Sequence, residues 1–101
     1  MASSKEYLDF VFDQLAGLDG LTTRKMMGEY LLYLDGKLVG GIYDDRLLVK
    51  PTPGALAFGL TSDIPYEGAK PMLVPDVDDK EGLAELLRTI AAELPEGSRK
   101  A

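Results

Sequence analysis

The sequence predicts an α+β domain of two layers, an antiparallel sheet flanked by an N-terminal and a C-terminal helix. Three observations point there: a helical apolar period near each end, a central run dense in aromatic and aliphatic residues, and an Asp-Gly reversal inside that run. Helices that bracket antiparallel strands bury one face against the sheet, which gives two layers.

The first helix starts near Ser3, whose spacing to Glu6 is that of a capping box. Leu8, Val11, Phe12, Leu15 and Leu18 follow at i, i+3, i+4, i+7 and i+10, so they share one face. Gly17 and Gly20 end it. Thr22 to Met27 is a short strand candidate, and Tyr30 to Leu34 a stronger one ending at Asp35-Gly36, a two-residue hairpin signal. Lys37 to Tyr43 is the return strand, Asp44-Asp45 a second tight turn, and Arg46 to Lys50 the next strand, closed by Pro51 and Pro53. Thr52 to Leu60 has room for a helical turn with Pro53 early in it. Residues 61–71, with Pro65, Gly68 and Pro71, read as loop. Met72 to Val74, between two prolines, suits an edge strand. Asp78 and Glu81 have capping-box spacing ahead of Leu83, Leu86, Leu87, Ile90, Ala91 and Leu94, the apolar stripe of the last helix, which Pro95 stops. The domain is expected to span 1–95, with 96–101 a disordered tail.

Composition narrows the function. The 101 residues suffice for one domain, and histidine and cysteine are absent. The commonest general base and metal ligand is therefore missing, and no Ser-His-Asp or Cys-His arrangement can be built. No glycine-rich phosphate-binding fingerprint occurs. Asp44-Asp45 and Asp76 to Asp79 are better explained by a turn and a helix cap than by an ion, since Asp is favoured at both. No enzyme activity, catalytic residue, cofactor or metal is expected. Gly40-Gly41 in mid-strand suggests close packing of a helix or partner on the backbone. A disulfide-free chain with a polar N-terminus and no long apolar run is expected in the cytoplasm, off the membrane.

The net charge of −6 is concentrated toward the C-terminus. Nucleic-acid affinity rests on Lys and Arg displacing phosphate counterions, so an acidic domain is poorly equipped to bind nucleic acid alone. The basic residues available for that second reading are Arg24, Lys25, Lys37, Arg46 and Lys50. A third reading is a small-ligand or ion site around the 65–71 loop, where Glu67 and Lys70 could pair and Tyr66 could fold onto the core.

If both two-residue turns are regular, opposed residues sum to 71 across the first hairpin and to 89 across the second. One face then holds Leu31, Tyr33, Leu38, Gly40, Ile42, Leu47 and Val49 and packs on the helices. The other holds Tyr30, Leu32, Leu34, Lys37, Val39, Gly41, Tyr43, Arg46, Leu48 and Lys50. On it, Tyr30, Leu32, Val39, Tyr43 and Leu48 would form an exposed apolar patch rimmed by charge, an interface for another protein or a second copy of the chain.

Two stretches, Arg24-Lys25-Met26-Met27-Gly28-Glu29-Tyr30-Leu31-Leu32-Tyr33-Leu34-Asp35-Gly36-Lys37 and Pro65-Tyr66-Glu67-Gly68-Ala69-Lys70-Pro71-Met72, carry a resemblance. With the leading helix and Asp45 to Lys50, they resemble the N-terminal domain of the TfoX (Sxy) family, from about Lys5 to Leu94. The resemblance implies an antiparallel α+β fold. It also implies a link to regulators of natural competence, which assist a cyclic-AMP receptor-type transcription activator at certain promoters. TfoX proteins proper add a C-terminal domain, so a stand-alone N-terminal domain is expected. The family offers no catalytic residues; Arg24, Lys25, Gly28, Gly36 and Gly68 are the motif positions that either bind or maintain turns.

Overall fold

Ser4 opens the first helix, its hydroxyl accepting from the Tyr7 N–H, in a computed structural model that describes residues 4–94. Helix α1 runs Lys5–Gln14. The cap is Ser4 rather than Ser3, which lies outside the described residues, and the Ser4 N–H itself donates to the Asp45 carboxylate at 2.7 Å. That bond ties the start of α1 to the Asp44-Asp45 turn. The helix ends at Gln14, before Gly17. Leu8, Val11, Leu15 and Leu18 are buried, as their spacing predicts.

Strands β1 (Leu21–Met26), β2 (Glu29–Leu34), β3 (Lys37–Ile42) and β4 (Leu47–Val49) form a meander. All three of its turns have two central residues at positive φ: Met27-Gly28, Asp35-Gly36 and Asp44-Asp45. Such turns match the right-handed twist of paired strands. Helix α2 (Pro53–Leu56) follows, with Thr52 as its cap. Strands β5 (Thr61–Asp63) and β6 (Met72–Val74) complete an antiparallel sheet of order β1-β2-β3-β4-β6-β5 among the described residues. Helix α3 (Lys80–Glu93) closes the fold, capped by Asp79, which accepts from the Gly82 N–H at 3.0 Å.

Three expectations are corrected. Residues 61–63 are a strand, not loop, too short and polar to show a period. Strand β6 is interior, between β4 and β5, because Pro71 and Pro75 fall just outside it and cost the ladder no donor. The α3 cap is Asp79 in place of Asp78, whose own N–H bonds back to Asp76. The expected tail, 96–101, lies outside the described residues.

The largest correction concerns register. Tyr33 faces Leu38 and Leu34 faces Lys37, as a regular turn requires, but Leu32 then faces Gly40 and Tyr30 faces Ile42. Val39 is the extra residue of a β-bulge. One inserted residue turns every later side chain to the opposite face. The second hairpin keeps its predicted register, with Gly40 opposite Val49 and Ile42 opposite Leu47. The helix-side core therefore holds Tyr30, Leu32 and Leu34 from β2, together with Val39, Ile42, Leu47, Val49 and Leu73. Against it pack Leu8 and Val11 of α1, Leu15 at its C-cap, and Leu83, Leu86, Leu87 and Ile90 of α3.

Gly40 is needed at the bulge because any Cβ there would run into the Leu48 carbonyl oxygen on β4. The close approach comes from a neighbouring strand, not from a helix or partner. Gly41 lies beneath the Tyr43 ring, 2.8 Å from where its Cβ would sit. Gly40→Ala should therefore cost about 1–3 kcal/mol, the usual range for overpacking. Gly17→Ala, where a Cβ meets nothing within 4 Å, should be close to neutral. Urea denaturation of both variants checks this.

Candidate functional site

The five residues expected to form an exposed patch do not form one. Leu32, Val39 and Leu48 are 0% exposed and Tyr30 is 9% exposed, all within a single chain. The bulge is the cause: it turns Tyr30, Leu32 and Val39 toward the helices. Tyr43 alone is half-buried, on the other side of the sheet.

The five basic residues do not gather either. Lys37 donates from Nζ to the Ala91 carbonyl at 3.1 Å, near the C-terminus of α3, a position where a cation meets the negative end of the helix. Arg46 is engaged with Asp63. Arg24 and Lys25 are exposed on β1. Lys50 follows β4, three strands or about 14 Å away at ordinary strand spacing. No continuous basic stripe results. The two acidic runs serve local structure. Asp44 and Asp45 form a turn, and Asp76 and Asp79 accept backbone N–H bonds. Among the described residues no group of three His, Cys, Asp or Glu is placed to hold a metal ion.

Two surfaces remain. The first is the β1–β2 hairpin. Strand β1 is an edge of the sheet, and Thr22 to Met26 are all exposed. Across the two-residue loop Met26 pairs with Glu29. That closing pair is the hydrogen-bonded one, so Thr23 and Lys25 direct their backbone N–H and C=O groups outward. At the tip, Met27 is 97% exposed and Met26 41%. Periodicity had no means of finding this surface, because an edge strand exposed on both faces has no apolar alternation.

The second surface is the sheet face away from the helices. Here the β5–β6 loop folds back over the sheet, held by one side chain. Arg46 donates to the Asp63 carboxylate, to the Ile64 carbonyl at 3.3 Å, to the Pro65 carbonyl at 3.2 Å and, from Nε, to the Tyr43 carbonyl at 3.2 Å. A guanidinium can bridge four acceptors because its donors fan out in one plane. Pro65 is buried, and so is Leu48, which lies outside the helix-side core. Tyr66 remains 63% exposed, its ring centroid 6.2 Å from that of Tyr43. Burial first, then the neighbouring Tyr66, Glu29 and Tyr33, push the Tyr43 phenol above its ordinary pKa. Between loop and sheet runs an open groove of about 540 Å³.

With this geometry in place, comparison with known proteins is informative. The TfoX N-terminal domain matches residues 13–89, most of the chain. The chain belongs to the TfoX N-terminal domain family. It is also 40% identical over 99 residues to a Spirochaeta aurantia protein named "Uncharacterized 12.7 kDa protein in trpE 5'region", covering 94% of the chain and 86% of that protein. No solved structure matches. Among the family-like positions, Gly28, Gly36 and Gly68 all have positive φ and serve turns. Arg24 and Lys25 are exposed on the edge strand. Among the described residues no helix is long and apolar enough to cross a membrane.

Asp63 supports a prediction about the loop. Its carboxyl is held below the ordinary range first by the Ile64 N–H and then by Arg46. A folded-state pKa below the unfolded one adds stability that is present above the unfolded value and lost as pH falls through the folded one. Asp63→Asn should remove this acid-dependent component. Stability measured by urea titration should then fall less steeply from pH about 5 downward than in the wild type. Arg46→Met should cost about 2 kcal/mol at neutral pH through lost charge-assisted bonds, read in the same titration.

Proposed function

We propose that the protein is a non-catalytic interaction module, an accessory regulator of transcription, that engages a partner protein by pairing with β1. The observation that supports this best is the edge itself: a six-residue strand whose Thr23 and Lys25 turn backbone groups outward, followed by an almost fully exposed Met27 in the turn. Sheet edges of this kind bind extended segments by adding a strand, with backbone bonds giving affinity and side-chain pockets giving specificity. Arg24 and Lys25 discourage indiscriminate edge pairing and favour a partner strand that brings carboxylates. Methionine at the tip provides a polarizable apolar contact that adapts to its partner. Family membership supports the regulatory side of this reading, since TfoX-type proteins act beside a transcription activator. Absence of histidine and cysteine supports the non-catalytic side.

The test is affinity capture from the source cells with three tagged variants beside the wild type. Thr23→Pro removes an outward N–H and obstructs an incoming strand, while leaving the β1–β2 ladder intact. Met27→Asp replaces the exposed tip. Arg88→Glu alters an exposed site on α3. Circular dichroism must first show all four folded. The expected outcome is that wild type and Arg88→Glu retain a transcription activator or an RNA polymerase subunit, and that Thr23→Pro and Met27→Asp lose it. Equal retention by the wild type and all three variants, or none by the wild type, would refute the reading.

A further inference from the structure

The groove on the far face of the sheet has a chemistry of its own. Its sheet side presents Leu38, Tyr43 and Met72, and its loop side presents Tyr66. The charged residues lining it are Lys50 and Lys70, and no carboxylate lines it. In a chain of net charge −6 this is a local reversal of sign. Among the described residues neither ammonium makes an ion pair or a side-chain hydrogen bond, whereas Arg46, a few residues away, is fully engaged. Two uncommitted cations therefore stand beside a partly exposed aromatic pair.

We propose that this groove binds a nucleoside monophosphate, with the base stacked on Tyr66 and the phosphate held by Lys50 and Lys70. Size, shape and charge agree. A volume of about 540 Å³ falls within the range of small-ligand sites. Tyr66 is 63% exposed, and its ring centroid lies 6.2 Å from that of Tyr43, so the two rings supply aromatic surface for a planar base. Lysine binds phosphate as a point charge, and two of them match a dianion. Low-dielectric walls formed by Leu38, Met72 and Pro71 focus the field of both ammoniums into the groove. Pairing through β1 plays no part in this site, so the two proposals stand or fall separately.

Nitrogen-15 NMR titration of the whole chain with AMP, adenosine and inorganic phosphate tests it. AMP should shift the amides of Tyr43, Lys50, Tyr66 and Lys70, with adenosine and phosphate each at least about tenfold weaker. Tyr66→Ala and Lys70→Gln, both at exposed positions, should each weaken AMP by about tenfold, while Glu85→Gln on α3 leaves it unchanged. An oligo(dA) strand distinguishes the source. Weaker binding than AMP at these residues upholds the free nucleotide, whereas tighter binding overturns it, because an internal phosphodiester is a monoanion. The proposal is overturned if UMP and AMP up to the order of 10 mM cause no shift here. It is also overturned if adenosine binds as well as AMP, or if both variants bind like the wild type.

Discussion

One residue of slack in one strand organises this protein. Val39 has no partner on β2, and its insertion sets the faces of both strands. Without it, Leu32 and Tyr30 would point away from the helices and Leu31 and Tyr33 toward them. With it, Leu32, Val39, Ile42, Leu47 and Val49 meet α1 and α3 in one apolar layer. The bulge in turn requires Gly40, because the kinked strand presses on the backbone of β4. Sterics at a glycine, register, and the composition of the core are therefore one constraint.

The same constraint shapes the opposite face. Placing Tyr33, Tyr43 and Leu48 away from the helices would leave apolar surface in water, a feature small domains rarely tolerate without a use. The β5–β6 loop covers part of it. Loops have few apolar contacts of their own, and this one is tied down by the Arg46 guanidinium, which bonds two loop carbonyls, the Asp63 carboxylate at the end of β5 and the Tyr43 carbonyl at once. Cover is incomplete, and what stays open is an aromatic groove with two lysines. Edge and groove are thus unlike in origin. The edge is where the sheet ends, and the groove is where a loop meets the sheet.

Lysine and arginine divide between structure and surface in a way that composition conceals. Lys37 completes a helix terminus, and Arg46 ties down a loop. Arg24 and Lys25 stay in water at one end of the sheet, and Lys50 and Lys70 line the groove. A count of basic residues treats all of these alike. Their partners separate them, and partners are a property of the folded chain.

Local chemistry determined a good deal. The 3.6-residue apolar period of Leu8 to Leu18 and of Leu83 to Leu94, the Asp35-Gly36 and Asp44-Asp45 turns, and the lack of histidine and cysteine were all legible in the chain, because each depends on residues close in sequence. So was the family, carried by two contiguous stretches. Tertiary structure alone decided the rest. The bulge lies in β3 beside Gly40, but the facing run Tyr30 to Leu34 is hydrophobic on both faces, so either register buries something and the pattern does not choose between them. The interior position of β6 and the β5 strand follow from pairings between segments far apart in sequence. That Tyr30, Leu32 and Val39 are buried against the helices, and not exposed on the far face, depends on that register. The physical reason is the same in each case: short-range propensities set the elements, whereas the choice of face is made by long-range packing.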